Sequence, residues 1–508
     1  MAGEEVYVDW RGNAVDERRH GGIRATLFLY ALFMLRSCTS SSNFSMVAYF
    51  HRTLHLDIVT SSTVISYMVG TVMISTALMN FISDAYIRRT TAIFVFSPFV
   101  ILHCKPFFTS LHPEICAIDK EPNNCEPAQG WNFTLLYLSL LMFAVGEGCL
   151  RACIPSLGGD QFSNSDPNKS QHKSMFLTWI KFANNLGAVI GLVFLVWIEN
   201  NWKPTGTPLS RTLQVLIISS NKRPTANANV IEVQETIRRV SSTLLRSNQT
   251  DETKVLIQML PIFIGCYLIY LPFTLLMTLT IQVGSTMDRG AGTIQIPSAS
   301  LIAIPTAFHM LMRPCYSWVL TPVVRKTTGH EHGITPLQCI GAGSACGVTA
   351  ACAATLVEAK RLKVAEQHEL TSAGSSVPMS VFWLVIQFFL LSTMDIASFG
   401  GLAEFIKSEA SSTLKPAALA VQSFLAGLAA WSCCAFIQFV NRMTRSGDSG
   451  RGWLDGTNFN RAHLDHFFLL LGVVELVALI NYTFWARRYS RKLQRINTVG
   501  LDEDNSRN

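Results

Sequence analysis

The stretch VLIQMLPIFIGCYLIYLPFTLLMTLTIQVGSTM, residues 255–287, carries no charged side chain between Lys254 and Asp288. A second uncharged stretch lies between Asp57 and Asp84. A helix of about 20 residues crosses the roughly 30 Å hydrocarbon core of a bilayer, so each stretch is long enough to span it. The sequence therefore predicts helices that cross a membrane.

The composition of the whole chain indicates the same class of protein. Of the 508 residues, 49% are hydrophobic and 15% are charged, against about 25% charged residues in ordinary soluble domains. The net charge of +7 comes from basic residues that flank the apolar stretches, as the positive-inside rule expects. A lipid bilayer is therefore the expected surrounding, and nucleic acid is not an expected partner.

Uncharged or nearly uncharged runs of 20 or more residues form two groups. The first half has 25–50, 58–83, 90–110, 131–152 and 175–198, and the second half has 255–284, 300–323, 334–357, 377–403, 416–440 and 466–486. These eleven spans predict a cytosolic N-terminal segment (1–24), an N-terminal helical bundle (25–198), a basic polar linker (199–254), a C-terminal helical bundle (255–486) and a cytosolic tail (487–508). An odd number in the first half places the basic linker outside, so the charge pattern suggests one missing crossing.

Five ionisable residues inside these spans are the candidate substrate-binding residues: Arg36, Glu147, Arg151, Lys181 and Asp395. A charge inside a bilayer is costly and marks a functional site by default. The spacing of Glu147 and Arg151 places both on one helical face, one turn apart. The alternatives are structural ion pairs or, for Lys181, a side chain that turns toward lipid headgroups.

Five longer motifs lie along nearly the whole chain. They are FISDAYIRRTT (81–91), LRACIPSLGGDQF (150–162), GSTMDRGAGTIQIPSASL (284–301), LTPVVRKTTGHEHGITPLQ (320–338) and GTNFNRAHLDHFFLLL (456–471). Each resembles, in the same order, a segment of the plant nitrate/peptide transporters. These form part of the proton-dependent oligopeptide transporter group of the major facilitator superfamily.

The resemblance implies an all-α polytopic membrane protein with two helical bundles and a site between them near the bilayer midplane. Relatives have twelve spans, whereas VWIENNWKPTGTPLSRTLQV (196–215) joins the fifth span almost directly to a stretch that follows the sixth. We therefore predict the major facilitator superfamily fold with 11 spans, the sixth of 12 being absent. A splice variant or imperfect gene model and a true eleven-span protein are the alternatives.

The resemblance also assigns roles to the charged positions. Arg36 matches the arginine of an E-x-x-E-R motif on the first helix, but both acidic positions are apolar here, Leu32 and Leu35. Arg151 stands where relatives have lysine, and Asp395 stands where they have glutamate. The usual proton relay of the first helix is therefore expected to be absent, because arginine remains protonated.

Glu147 offers a replacement for the lost carboxylates. We predict that it pairs with Arg36 or Arg151, and that Glu147 and Asp395 are the candidates for proton coupling. The two arginines and Lys181 outnumber Glu147 in the N-terminal half. A cavity of this sign attracts an anion, for which arginine has suitable paired donors.

The predicted function is secondary active transport of a small solute by alternating access, with weakened proton coupling. Nitrate, a peptide or another organic anion or metabolite is the expected substrate, and protons are a candidate co-substrate. A non-transporting, truncated or splice-variant membrane protein is the alternative. No catalytic constellation, metal site or cofactor is expected, so the protein is not predicted to be an enzyme. The plasma membrane is the expected location rather than the vacuolar membrane, while substrate identity, direction and oligomeric state stay open.

Overall fold

The computed structural model describes residues 23–42, 58–102, 131–162, 169–195, 232–291, 294–315, 326, 334–370, 376–409, 417–445, 452–455 and 459–505. The predicted N-terminal segment lies almost entirely outside these residues, as does the first part of the predicted linker. The described part of the chain consists mainly of helices.

Each of the eleven predicted spans contains helical structure among its described residues. The helices are α1 (Ile23–Ser42), α2 (Ile58–Ala85), α3 (Arg89–Leu102), α4 (Trp131–Gly159), α5 (Lys169–Ile190), α6 (Glu232–Ser285), α7 (Ala303–Cys315), α8 (Pro336–Gln367), α9 (Val385–Met394), α10 (Gly400–Glu409), α11 (Ala417–Met443) and α12 (Leu464–Asn505). A π-helical turn, Asp395–Phe399, joins α9 to α10 in one span. The all-α prediction is thus confirmed.

The outer surface of these helices is suited to lipid. Within the described residues, eight helical segments are long and apolar enough to cross a membrane, and the apolar stretches of α3 and α7 are shorter. Large apolar side chains point outward, such as Phe94, which is 78% exposed, and Leu356, which is 72% exposed. Exposed apolar area of this extent is costly in water but not against lipid tails.

The N-terminal bundle consists of α1 to α5. Helix α4 packs against α2 and α3, and α1 packs against α5. Short π-helical structure, Gly191–Leu195, extends α5. An apolar cluster that includes Leu29, Phe33, Ile154 and Phe176 fills the space between α1, α4 and α5, so the inner faces of these helices are fixed by side-chain packing.

The C-terminal bundle consists of α6 to α12 and holds the largest apolar core of the described residues. Helix α12 packs against α8 and α6. Two small sheets lie beside it: β1 (Met287–Asp288) pairs in parallel with β4 (Val377–Ser380), and β2 (Gly290–Ala291) pairs antiparallel with β3 (Ile294–Gln295). Two 3-10 turns, Ser298–Ile302 and Val381–Leu384, lead into α7 and α9.

Several helices extend beyond the predicted spans, and two of them extend furthest. Helix α6 begins at Glu232, inside the predicted linker, and α12 continues to Asn505, inside the predicted tail. The extra residues are polar, so a search for apolar runs does not include them. Helix length is set by backbone propensity as well as by hydrophobicity.

The two bundles meet along α2 and α11. A Cβ atom at Gly427 of α11 would lie 2.9 Å from the Gly70 carbonyl oxygen of α2, so glycine permits this close crossing. Nearby, Gln282 of α6 donates from Nε2 to the Ser62 hydroxyl at 3.0 Å. The Ser300 hydroxyl, which follows α6, donates to the Leu192 carbonyl oxygen near the end of α5 at 2.6 Å. The beginning of α2 and the ends of α5 and α6 therefore share one face of the protein.

Candidate functional site

A buried ion pair joins three helices of the N-terminal bundle. Arg36 of α1 donates from Nη1 to Oε1 of Glu147 on α4, and from Nη2 to Oδ1 of Asn184 on α5 at 2.7 Å. Arg36 is 8% exposed and Glu147 is 3% exposed. Of the two predicted partners of Glu147, the structure selects Arg36, so the predicted pairing is confirmed.

The position of Glu147 follows from the glycine beside it. Gly148 faces α2, where an added Cβ atom would lie 2.6 Å from the Ser75 Cβ atom and 2.8 Å from the Val72 carbonyl oxygen. Helix α4 therefore lies against the α2 backbone. The Arg36 guanidinium also lies over the Phe33 ring, with 4.4 Å between Cζ and the ring centroid, which further restricts the arginine.

Arg151 lies one turn beyond Glu147 but does not join the ion pair. Its side chain is exposed, and its Nη1 lies 3.7 Å from the Met73 sulfur of α2. The charges of Arg36, Glu147 and Asp395 all act on its guanidinium. Because Asp395 belongs to the other bundle, Arg151 faces the space between the two bundles.

Asp395 begins the π-helical turn between α9 and α10 and lies beside His309 of α7. The distance between Asp395 Oδ2 and His309 Nε2 is 3.2 Å, and both side chains are partly exposed. π-helical turns are uncommon and occur often at functional sites. Phe399, the last residue of this turn, stacks on Tyr270 of α6 with ring centroids 3.6 Å apart.

Lys181 is the remaining predicted residue. Its side chain on α5 is exposed, and it lies one turn before Asn184, the partner of Arg36. The structure thus brings Arg36 and Glu147 into contact and places Arg151 within electrostatic range of Asp395.

Sequence reasoning missed several polar groups. Asn184 carries no charge and gives no signal in an apolar run. Glu475 lies in the last predicted span, where the same signal that identified Arg36, one charge in an apolar run, was available. The buried pair of Glu358 and Arg361 lies just beyond the predicted span 334–357. It was missed because the predicted span ends before the helix does.

One group of described residues has ligand atoms close enough together for a metal ion. It consists of His463, Asp465 and His466 at the start of α12. Two of the three side chains are exposed, and His466 Nδ1 lies 3.0 Å from Asp465 Oδ1. Exposed groups of this kind are common without an ion, and we assign no function to this one.

The fold and the charged centre together define a class of protein. Two helical bundles, each with an apolar outer surface, enclose ionisable groups contributed by both bundles. This is the architecture of secondary membrane transporters, in which the site lies between two repeats. A family model described as "PTR2: POT family" matches residues 56–210 and 203–454. The chain belongs to the POT family.

Individual relatives agree with this membership. The chain is 28% identical to the Arabidopsis thaliana protein NRT1/PTR FAMILY 4.5 over 551 aligned positions, which cover 96% of both chains. It is 27% identical to NRT1/PTR FAMILY 4.6 of the same plant, covering 96% of this chain and 97% of the relative. The predicted resemblance to plant nitrate/peptide transporters is confirmed.

Solved structures show the same fold at low sequence identity. The POT family transporter PepTSo gives a TM-score of 0.64 at 15% identity, covering 92% of this chain and 98% of its own. An auto-inhibited POT family peptide transporter gives a TM-score of 0.66 at 15% identity, covering 92% and 97%. Membership of the POT family makes the protein a multi-pass membrane transporter and not an enzyme, as the sequence predicted.

Proposed function

We propose that this protein carries a small solute with an anionic group across the membrane by alternating access. The proposal depends on a difference between the two arginines in burial and in pairing. Glu147 neutralises Arg36 and buries it, whereas the Arg151 side chain is exposed between the bundles. Arg151 is therefore the guanidinium available to a carboxylate or to nitrate.

Asp395 suits the other end of such a solute. It lies across from Arg151, in the opposite bundle, and would accept a hydrogen bond from an amine. Solved POT family structures hold 5-aminolevulinic acid and sulfate, and these ligands support a site that binds an anionic group. Dipeptides and amino carboxylates carry both charges, while nitrate would use Arg151 alone.

Proton coupling is proposed to be weaker than a glutamate-bearing first helix would give. The acidic positions of that motif are Leu32 and Leu35, neither of which binds a proton. Glu147 is held by Arg36, which stays charged. Asp395 is the better coupling candidate of the two, because its neighbour His309 is an imidazole and not a permanently charged guanidinium.

Uptake into proteoliposomes that contain the purified full chain tests this function. Labelled nitrate, dialanine and 5-aminolevulinic acid are the probes. We expect saturable uptake of at least one probe above protein-free vesicles. Arg151→Gln should reduce the initial rate roughly tenfold, the effect of losing about 1.4 kcal/mol of binding, whereas Arg488→Gln on the exposed surface of α12 should have no effect.

Two results would count against the proposal. Uptake of none of the probes would remove the transport function, and equal rates for Arg151→Gln and wild type would remove the role of Arg151. Acid stimulation approaching roughly tenfold per pH unit, as expected when one protonation limits the rate, would contradict weakened coupling.

A second candidate function is a membrane protein that does not transport. The family model matches in two separate segments, 56–210 and 203–454, which overlap at residues 203–210, where the sequence predicts the missing sixth span. The alignment to NRT1/PTR FAMILY 4.5 has 551 positions, more than the 508 residues of this chain, so the relative has residues that this chain lacks. An N-terminal bundle that lacks one helix would associate with intact relatives instead of carrying solute itself.

The positions of the helix ends explain why the missing span matters. Leu192 near the end of α5 contacts Ser300, which follows the end of α6. The α6 span therefore starts from the face opposite to the end of α5. Protease protection of tags at both termini, in the plasma membrane fraction, distinguishes the candidates. Two cytosolic termini favour the transporter, and termini on opposite sides favour the non-transporting protein.

A further inference from the structure

Of the acidic residues whose burial the structure describes, Glu475 is the most deeply buried. It lies in the middle of the α12 span and is 0% exposed. The Ser344 hydroxyl of α8 donates to its Oε1 at 2.6 Å. The other oxygen, Oε2, is buried and has no hydrogen-bond partner within the described part of the chain.

Two other buried glutamates, in contrast, are each paired with an arginine. Glu358 is 1% exposed, but Arg361 donates to both of its oxygens at 2.7 and 2.8 Å. Glu147 receives the guanidinium of Arg36. An ionised carboxylate in an apolar interior requires such a cation, and without it the neutral, protonated acid is favoured. Glu475 has a hydroxyl donor in place of a cation.

Among the described residues, no charged side chain of α6 or α8 acts on the carboxyl group at this position. Burial and the Ser344 hydroxyl are the influences on the carboxyl group. Arg361 lies 17 residues beyond Ser344 on α8, roughly 25 Å along the helix at a rise of about 1.5 Å per residue. The titratable side chains on the neighbouring parts of α6, α8 and α12 are neutral thiols and phenols: Cys266, Tyr267, Tyr270, Cys339, Cys346 and Tyr482.

Glu475 also lies directly behind the span that carries Asp395. A Cβ atom at Gly347 of α8 would lie 2.6 Å from the Met394 sulfur and 3.0 Å from Glu475 Oε1. Met394 immediately precedes Asp395 and the π-helical turn. The carboxyl group thus lies where α8, α12 and the Asp395 span meet, and relative movement of these helices would change its hydration.

We propose that Glu475 is a proton-binding site of the C-terminal bundle, protonated in this conformation and deprotonated when water reaches it. In that step the O–H bond of the acid breaks, the proton passes to water, and the carboxylate keeps the hydrogen bond from Ser344. This inference rests on the proposed transport function for its role. It gives the protein a proton site in place of the acids that Leu32 and Leu35 replace.

Infrared spectroscopy of the purified full-length protein tests the protonation without any substrate. At neutral pH we expect a carbonyl stretch of a protonated carboxylic acid that is lost in Glu475→Gln. The same band should remain in Glu358→Gln, which removes a buried but ion-paired carboxylate, and in Glu404→Gln, which removes an exposed one. Ser344→Ala should shift the band to higher frequency because the carbonyl loses its donor.

Glutamine has the shape of the protonated acid, so Glu475→Gln is expected to fold. A protonated-acid band that persists unchanged in Glu475→Gln would overturn the proposal. Loss of ionised carboxylate absorption in that variant, with no loss of protonated acid, would overturn it equally.

Transport then tests the role in coupling, with nitrate and dialanine as probes. Wild type is expected to show some acid stimulation and uphill accumulation when a pH gradient is imposed, and Glu475→Gln should lose both while retaining exchange. Unchanged acid stimulation in the variant would overturn the coupling role. If wild type carries none of nitrate, dialanine and 5-aminolevulinic acid, the transport function fails by itself, and the infrared result still decides whether Glu475 binds a proton.

Discussion

Glu147 on α4 accepts a hydrogen bond from Arg36 on α1, although 111 residues separate them in the chain. The pair is buried, and Asn184 of α5 binds the second arm of the same guanidinium. Three helices of the N-terminal bundle are therefore held together by one arginine. The carboxylate that compensates Arg36 comes from the fourth span, not from the first helix.

Removing one partner of this pair is expected to destabilise the protein. Glu147→Gln leaves a buried guanidinium without a counter-charge, at a cost of about 3–5 kcal/mol. The melting temperature of the detergent-purified protein measures the effect. The double variant Arg36→Met, Glu147→Leu should recover most of the loss, because it buries no charge. Equal melting temperatures for Glu147→Gln and wild type would contradict the importance of the pair.

The buried Arg361 is expected to be irreplaceable by lysine. Its guanidinium donates to Glu358, to the Asn460 side chain at 2.6 Å and to the Phe459 carbonyl oxygen at 2.9 Å. Lysine keeps the charge but cannot form this paired geometry. Arg361→Lys should therefore lose several of these bonds and lower the melting temperature clearly. Arg445→Lys at an exposed ion pair is the matched control and should change it little.

The crossing of α2 and α11 is expected to be intolerant of added volume. Gly427→Ala would place a methyl group 2.6 Å from the Ile74 side chain and 2.9 Å from the Gly70 carbonyl oxygen. Overpacking of this kind costs about 1–3 kcal/mol, so both thermal stability and contact between the bundles should decrease.

Gly400 provides the matched control for this crossing. It is a helical glycine with nothing within 4 Å of an added Cβ atom. Gly400→Ala should be neutral or stabilising by up to about 1 kcal/mol. Equal effects of the two substitutions on the melting temperature would show that the crossing does not depend on glycine.

The stability contributed by a loop outside the spans is expected to depend on pH. Arg445 and burial of the loop act on Asp455 in opposite directions, and the hydrogen bond from Arg445 dominates, lowering the pKa of Asp455 from 3.8 to about 2. The carboxylate also binds the Asn441 amide at 2.5 Å. Because the folded-state pKa is lowered, this stabilisation is fully present above the ordinary pKa and is lost as the pH falls toward about 2.

Asp455→Asn should therefore lower the melting temperature by the same amount at all pH values from about 5 to 8. Melting curves across this range, compared with wild type, measure the difference. A difference that grows or shrinks between those limits would show that another group controls the loop. Any acid stimulation of transport in this range must come from groups other than Asp455.

The spans of this protein could be predicted because each depends on a local property. Residues 58–83 and 255–284 are uncharged for long enough to cross a bilayer, and both are helical. The residues at which the helices start and end were harder to predict from the sequence. Glu232 begins α6 and Asn505 ends α12 in polar sequence, where hydropathy gives no signal.

The contacts of the buried ionisable groups were predicted in part. Arg36, Glu147 and Asp395 were identified as charges inside apolar runs, which a bilayer makes expensive. Their hydrogen-bond partners were harder to predict, since Asn184, which binds Arg36, is uncharged. The i, i+4 spacing offered Arg151 as a partner of Glu147, but the structure directs the carboxylate to Arg36 and leaves Arg151 exposed.

The sequence by itself determined that the chain is a helical membrane protein of this family, because apolar length and motif order are written along the chain. Only the tertiary structure decided which buried charges have counter-charges. Glu358 and Glu475 are both buried acids of the C-terminal bundle, yet one has an arginine and the other a serine. The difference arises because packing brings together side chains that are distant in sequence, and the protonation of a buried acid depends on those neighbours.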